Sequence, residues 1–272
     1  MKSQIKEALG LDLEPVAIVP TNEKPEGAKQ FKEKRWGCVM FMFAAAAKGE
    51  TAVFDRNTYG CQGGGVGLGF GNQYQVFAGG QDCFCYFLSI GNDQWEQGRQ
   101  VSAQVKPFLQ PDAYEDFVKG ERYIKSPELV QSFIANLPIV DIPETYVVFK
   151  PLSAVTEQEP PPATVVFLGD MDQISAMSIL ANFHRPTNDN VIFPFAAGCQ
   201  SMGIYAFAEA KRDQPRAVLG LNDISARLAL KRLLKKDFMS FAVPYKLFQE
   251  MEANVPDSFI YRHTWQQLRK IR

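Results

Sequence analysis

Among the chain's five cysteines, two open the same local pattern. Gly37-Cys38 is followed by the apolar run Val39 to Ala47, a Lys48-Gly49 stop, strand-like Thr51 to Phe54 and polar Asp55-Arg56-Asn57. Gly198-Cys199 is followed by Gln200 to Lys211, a Pro-containing break, strand-like Arg216 to Leu219, and Leu221-Asn222-Asp223. A β-branched run lies upstream of each, Val16 to Val19 and Thr164 to Leu168. A helix N-terminus carries unpaired N–H groups and a partial positive charge, so a cysteine placed there is expected to ionise more readily. Cys61 follows Tyr59-Gly60 just after the first strand, on a segment able to return toward Cys38. Three thiolates delivered from separate loops suit a soft metal or an iron-containing centre. Asn222 or Asp223, solvent or a small ligand would complete it.

The remaining candidates carry less. Cys83 and Cys85 sit in Asp82 to Ile90, an apolar aromatic segment that reads as a strand. On a strand both thiols would share one face, but burial as small core residues is the expected role. Gly63, Gly64 and Gly65, within the glycine-rich Gly60 to Gly71, allow close backbone approach to a phosphate or cluster. Their context lacks a dinucleotide or P-loop fingerprint. Of the two histidines, His184 follows a helix and reads as a helix-end cation, and His263 lies in a polar tail and is expected at the surface. Asp170 and Asp172 stand at a strand–helix turn, where capping outranks acid–base work. No CxxC pair, Ser/His/Asp set or zinc-ribbon spacing is present.

The elements that would position these residues mix strands and helices along the whole chain. Helical spacing is expected over Lys2 to Leu11, Ser126 to Asn136, Asp172 to His184, Ser225 to Lys236 and Pro244 to Met251. Strands are expected over Pro15 to Pro20, Thr145 to Lys150 and Met239 to Val243, besides those beside the cysteines. Ala28 to Lys34 reads as a charged connector, and Glu157 to Ala163 as a polyproline-like linker. The pattern predicts one α+β domain over 1–272, a mixed sheet with flanking helices, containing pseudo-repeat halves at about 12–71 and 161–250.

The 272 residues, 46% hydrophobic and 12% aromatic, are those of an ordered globular chain. A net charge of −1 gives no electrostatic footprint for nucleic acid. Arg227 to Lys236 is the one basic cluster, and its leucine spacing reads as a solvated helix face. No apolar leader or spanning segment is evident, so a cytoplasmic, reducing location with free or ligating cysteines is expected.

At Cys38, Cys61-Gln62-Gly63-Gly64 and Gly198-Cys199 the chain resembles a bacterial and archaeal family known as domain of unknown function 169. The likeness extends over Pro15-Val16-Ala17, Val165 to Gly169 and Phe241 to Leu247. It implies one cysteine, a second near a glycine-rich loop, and one or two more in the C-terminal half, matched by Cys38, Cys61 and Cys199. Leu221-Asn222-Asp223 stands near the place of a further cysteine. The resemblance implies no activity.

Three functions are compatible with these residues. The first is a protein that holds an iron–sulfur cluster, such as a 4Fe–4S centre, or another thiophilic metal through Cys38, Cys61, Cys199 and Asp223, and that acts on or senses a small molecule. The second is a metal-free small-molecule-binding module built from the aromatic segment and the glycines. The third is a structural or interaction protein with core cysteines.

Overall fold

Apolar side chains on both faces of the central strands require helices on both sides of the sheet. The computed structural model describes residues 1–33 and 35–271. In chain order it begins with α1 (Gln4–Leu9), β1 (Val16–Thr21), α2 (Val39–Ala47), β2 (Ala52–Phe54) and α3 (Gln62–Gly67). Helices α4 (Gly80–Leu88), α5 (Glu96–Val105), α6 (Pro111–Lys119) and α7 (Pro127–Asn136) follow. Next come β3 (Tyr146–Pro151), β4 (Thr164–Gly169), α8 (Met171–Asn182), β5 (Val191–Ile192), α9 (Gly198–Met202) and α10 (Ile204–Ala210). The chain ends with β6 (Ala217–Gly220), α11 (Ile224–Leu234), β7 (Met239–Pro244), α12 (Tyr245–Asn254) and α13 (His263–Ile271). This is an α+β chain with a mixed sheet.

Two compact units divide it, one of residues 1–70 and 140–272 and one of residues 71–139. In the first, seven strands form a sheet in the order β2-β3-β1-β4-β7-β6-β5. All neighbours are antiparallel except β5 and β6. The two middle strands pair Val16 with Val166 and Ile18 with Thr164. Outward from that pair the same order holds on each side: an antiparallel neighbour (β3 or β7), then another (β2 or β6). The connections differ, since α2 alone joins β1 to β2, whereas α8, β5, α9 and α10 lie between β4 and β6.

Period-two alternation sorts the strand residues between two cores. Val16, Ile18, Val166, Leu168 and Ala242 face the layer of α2, α9, α10 and α11. Ala17, Val19, Val165, Phe167, Phe241 and Val243 face α8, α12 and the α1 side. Helix starts follow local chemistry. The Asp170 carboxylate accepts from the Gln173 N–H while the Gln173 amide oxygen accepts from the Asp170 N–H, both at 3.0 Å, closing a capping box. Gly10, at φ 63°, ends α1 in the left-handed region.

The second unit corrects one expectation. Asp82 to Ile90 is no strand: most of it lies in α4. Phe77 touches both Phe84 (5.4 Å between ring centroids) and Phe87 (5.6 Å), one helical turn apart, and Tyr74 stacks on Phe84 at 3.9 Å. Aromatic residues favour strands in isolation, but this ring cluster rewards helical spacing. Buried Asn92 donates to the carbonyls of Cys83 (3.0 Å) and Phe117 (3.1 Å), tying the cluster together. Glu157 to Ala163, expected as a linker, lies within the first unit and leads into β4, with the Ala163 N–H donating to the Ile18 carbonyl at 2.9 Å. Among the described residues no helix is long and apolar enough to cross a membrane.

Candidate functional site

Four helix starts bring the candidate ligands of the first unit together. Cys38 is the N-cap of α2, Cys61 the N-cap of α3, and Asp223 the N-cap of α11, while Cys199 is the second residue of α9. The Cys61 sulfur accepts from the Gly64 N–H at 3.3 Å. Asp223 Oδ1 accepts from the Ala226 N–H at 3.1 Å and from the Ser225 hydroxyl at 2.7 Å. Its Oδ2 accepts from the Gly198 N–H at 3.3 Å, which links the start of α11 to the start of α9. The Cys199 thiol donates to the Gly63 carbonyl at 3.3 Å, which links α9 to α3.

Small residues permit these approaches. Gly60, at φ 83°, lies so close to the Gly37 carbonyl that a Cβ there would fall 2.2 Å from its oxygen. That contact sets the Cys61 turn against the Cys38 turn. A Cβ on Gly67 would lie 2.8 Å from the Cys199 carbonyl carbon, and one on Gly203 only 1.8 Å from the Gly67 oxygen. The segment after Cys199 accordingly breaks at Gly203 into α9 and α10. Gly63, Gly64 and Gly65 lie in α3, where a Cβ on Gly64 would fall 2.6 Å from the Val39 side chain of α2.

Electrostatics tie the four groups into one neighbourhood. Burial first, then the charge of a Cys61 thiolate, pushes the Cys38 thiol up to about 12, with Asp223 adding to the rise and the Met40 N–H opposing it. Burial raises Cys61, and the Asp223 carboxylate raises it further against the lowering effect of the Gly64 N–H. Cys199 is raised well above the ordinary thiol value by burial and then by Cys61, Cys38 and Asp223. The lowered values expected at helix starts are therefore overturned: desolvation and like-charge crowding exceed the favourable N-terminal field. Cys199 and Asp223 are buried, at 7% and 8% exposure, whereas Cys38 and Cys61 are half-buried. Among the described residues no group of three or more His, Cys, Asp or Glu side chains is arranged to hold a metal ion.

The other candidates lie elsewhere. Cys83 and Cys85 are buried on α4, where residues two apart do not share a face, so the strand-based clip is lost. Burial and then Asp82 push both thiols to about 11. Asn222 does not point to the thiols as a free ligand. Its amide donates to the Pro194 carbonyl at 2.8 Å and accepts from the Ala196 N–H at 3.4 Å, holding the approach to α9. His184 and His263 are exposed. Sequence reasoning missed Tyr59, whose phenol is raised by burial and then by Cys61. It also missed Gly203 and the pairing of Gly37 with Gly60. Adjacency to Gly60-Cys61 was the one local signal for Tyr59; the glycine contacts have none, because they join distant segments.

The fold defines an α+β protein in which Cys38, Cys61, Cys199 and Asp223 stand at helix starts of the first unit. The chain belongs to the family of domain of unknown function 169, described as uncharacterised ArCR, whose model matches residues 4–254. No curated protein and no solved structure matches the chain.

Proposed function

We propose that the protein holds an iron–sulfur cluster, or another thiophilic polynuclear centre, through Cys38, Cys61 and Cys199, and that it senses or acts on a small molecule there. The reading is supported by the meeting of separate helix starts, where the Cys199 thiol donates to the carbonyl of Gly63 in the Cys61 helix and the Asp223 carboxylate accepts from the Gly198 N–H beside Cys199. Without a cation these groups oppose each other's ionisation; a metal core reverses that balance and draws off the thiol protons. Four thiolates around one tetrahedral ion sit roughly 4 Å apart with bonds near 2.3 Å, while a cluster core separates them by about 6–7 Å. Three protein thiolates leave one metal position to a weaker ligand, which is the arrangement that allows a small molecule to bind.

The test is anaerobic purification followed by iron and acid-labile sulfide analysis and visible absorption. A brown protein with iron and sulfide in comparable amounts supports the proposal; a colourless, iron-free protein after anaerobic reconstitution rejects it. The same result would then favour a structural or interaction protein with core cysteines, a reading supported by the packing of Cys199 among Met40, Leu68 and Met202 in the apolar core.

A further inference from the structure

The outward face of α11 carries apolar side chains at its start and cations at its end. Ala226 and Leu230 are buried in the core, which turns Ile224, Leu228, Lys231 and Lys235 outward at helical spacing, with Arg232 beside them. Ile224 is 62% exposed. Lys231 pairs with Asp237 at 2.9 Å, and Lys236 pairs with Asp12. The Arg232 and Lys235 side chains make no ion pair among the described residues. Cations in a last turn complement the helix dipole, but that leaves the bare Ile224 and Leu228 unexplained. Residues 71–139 carry a surface of the opposite kind. Phe108, in the turn before α6, is 85% exposed. Asp112, Glu115 and Asp116 follow on one exposed face of α6 and make no ion pair among the described residues. The nearby cations are engaged, Lys119 with Asp93 at 2.7 Å and Lys106 over the Tyr114 ring at 5.6 Å. Burial, then the charges of Glu115 and Asp112, raises the Asp116 carboxyl above its ordinary value, so the three carboxylates crowd one another. The charge balance runs the same way: residues 71–139 hold eight acidic and five basic side chains, the rest of the chain 22 and 24.

We propose that the chain associates with a second copy of itself, the α11 face of one copy receiving Phe108 and the acidic face of α6 of the other. Phe108 then covers Ile224 and Leu228 while the carboxylates meet Arg232 and Lys235, so the apolar and the charged exposures are removed together. Apolar burial drives the association, and the opposite charges fix its direction. Like faces do not match, because α11 on α11 sets cations against cations and α6 on α6 sets carboxylates against carboxylates. Made twice about a two-fold axis the contact closes a pair; made once it propagates from copy to copy. Two short helix faces make a small interface, so an affinity of about micromolar order is expected. No thiol takes part, and the contact is tested independently of the cluster.

The experiment is sedimentation velocity of the full chain at roughly 1–100 μM, with reductant present to exclude disulfide-linked species. The wild type should form dimers or larger species as concentration rises, and high salt should weaken them. Two charge-reversed variants are compared, Arg232→Glu with Lys235→Glu and Glu115→Lys with Asp116→Lys. Each alone should associate about tenfold or more weakly than the wild type, since like charges then face each other. Mixing the two should restore association, because the reversed α11 face of one meets the reversed α6 face of the other. Mixing cannot repair misfolding, so recovery reports the contact itself. Phe108→Ser, which removes a side chain that stands in water, should also weaken association at an unchanged melting temperature. A wild type that stays monomeric at every concentration overturns the proposal and leaves the α11 face to an acidic partner of another sequence. Association untouched by both reversals, or not recovered when the folded variants are mixed, overturns it as well. Should the reversed variants not fold, unchanged association of Phe108→Ser overturns it instead.

Discussion

At the residue scale, the metal-free protein is a set of neutral thiols under mutual restraint. Cys38 titrates at about 12 because its thiolate would be desolvated and would face Cys61 and Asp223. Iodoacetamide reacts with the thiolate, so labelling of Cys38 in metal-free protein at pH 8 should be far slower than that of an unfolded control. Its rate should climb through pH 10–11 rather than level off near 9, as followed by peptide mass spectrometry. The linked stability has a definite sign. A group whose folded pKa is raised supports the fold below the unfolded thiol value, and that support drains away as pH rises toward 12. Metal-free protein should therefore melt at a lower temperature at pH 10.5 than at pH 8, and reconstitution should shrink the difference. A second prediction separates the two cysteine groups. Cys38→Ala or Cys199→Ala should lower retained iron by more than the ~10–100-fold that loss of an outer-shell partner costs. The double replacement of Cys83 and Cys85 by Ser or Ala should leave iron nearly unchanged, because those thiols lie in the aromatic core of residues 71–139. Loss of iron in the double variant with an intact circular dichroism spectrum would move the centre to α4.

At the element scale, glycine-on-glycine contact between α3 and α9 sets how closely Cys199 approaches the α3 backbone. Gly67→Ala places a methyl 2.8 Å from the Cys199 carbonyl carbon and 2.9 Å from its sulfur. Overpacking of this kind costs about 1–3 kcal/mol. Urea denaturation should show that loss, and the thiol cluster should open with it, giving faster alkylation of Cys199 at fixed pH. An unchanged midpoint would mean that α3 moves away freely and that the glycines do not hold the site.

At the scale of the whole molecule, residues 71–139 enter and leave the first unit at one place. Phe70 and Asp141 form an antiparallel bridge, and the Ile142 N–H donates to the Gly69 carbonyl at 2.9 Å. Closing such a gap needs only a short turn, and loop closure grows slowly with length. A chain in which 71–139 is replaced by a short Gly/Ser turn should therefore fold cooperatively and keep its sheet. Far-ultraviolet circular dichroism and a single thermal transition would check this; a molten product would show that the sheet unit depends on the segment removed.

Many of the elements are legible in the amino-acid sequence alone, because their signals are local. β-branched runs mark β1 and β4, Gly10 marks the end of α1, and Ser126-Pro127 marks the start of α7. The cysteines at helix starts are visible for the same reason: capping is decided within one turn of chain. Tertiary structure alone decides what depends on contacts between distant segments. Aromatic packing makes Asp82 to Ile90 a helix against its strand-like composition. Close backbone approach at Gly203 divides the segment after Cys199 into α9 and α10. Burial and crowding turn thiols expected to be acidic into thiols held protonated, since desolvation and like-charge repulsion exist only once the loops have met.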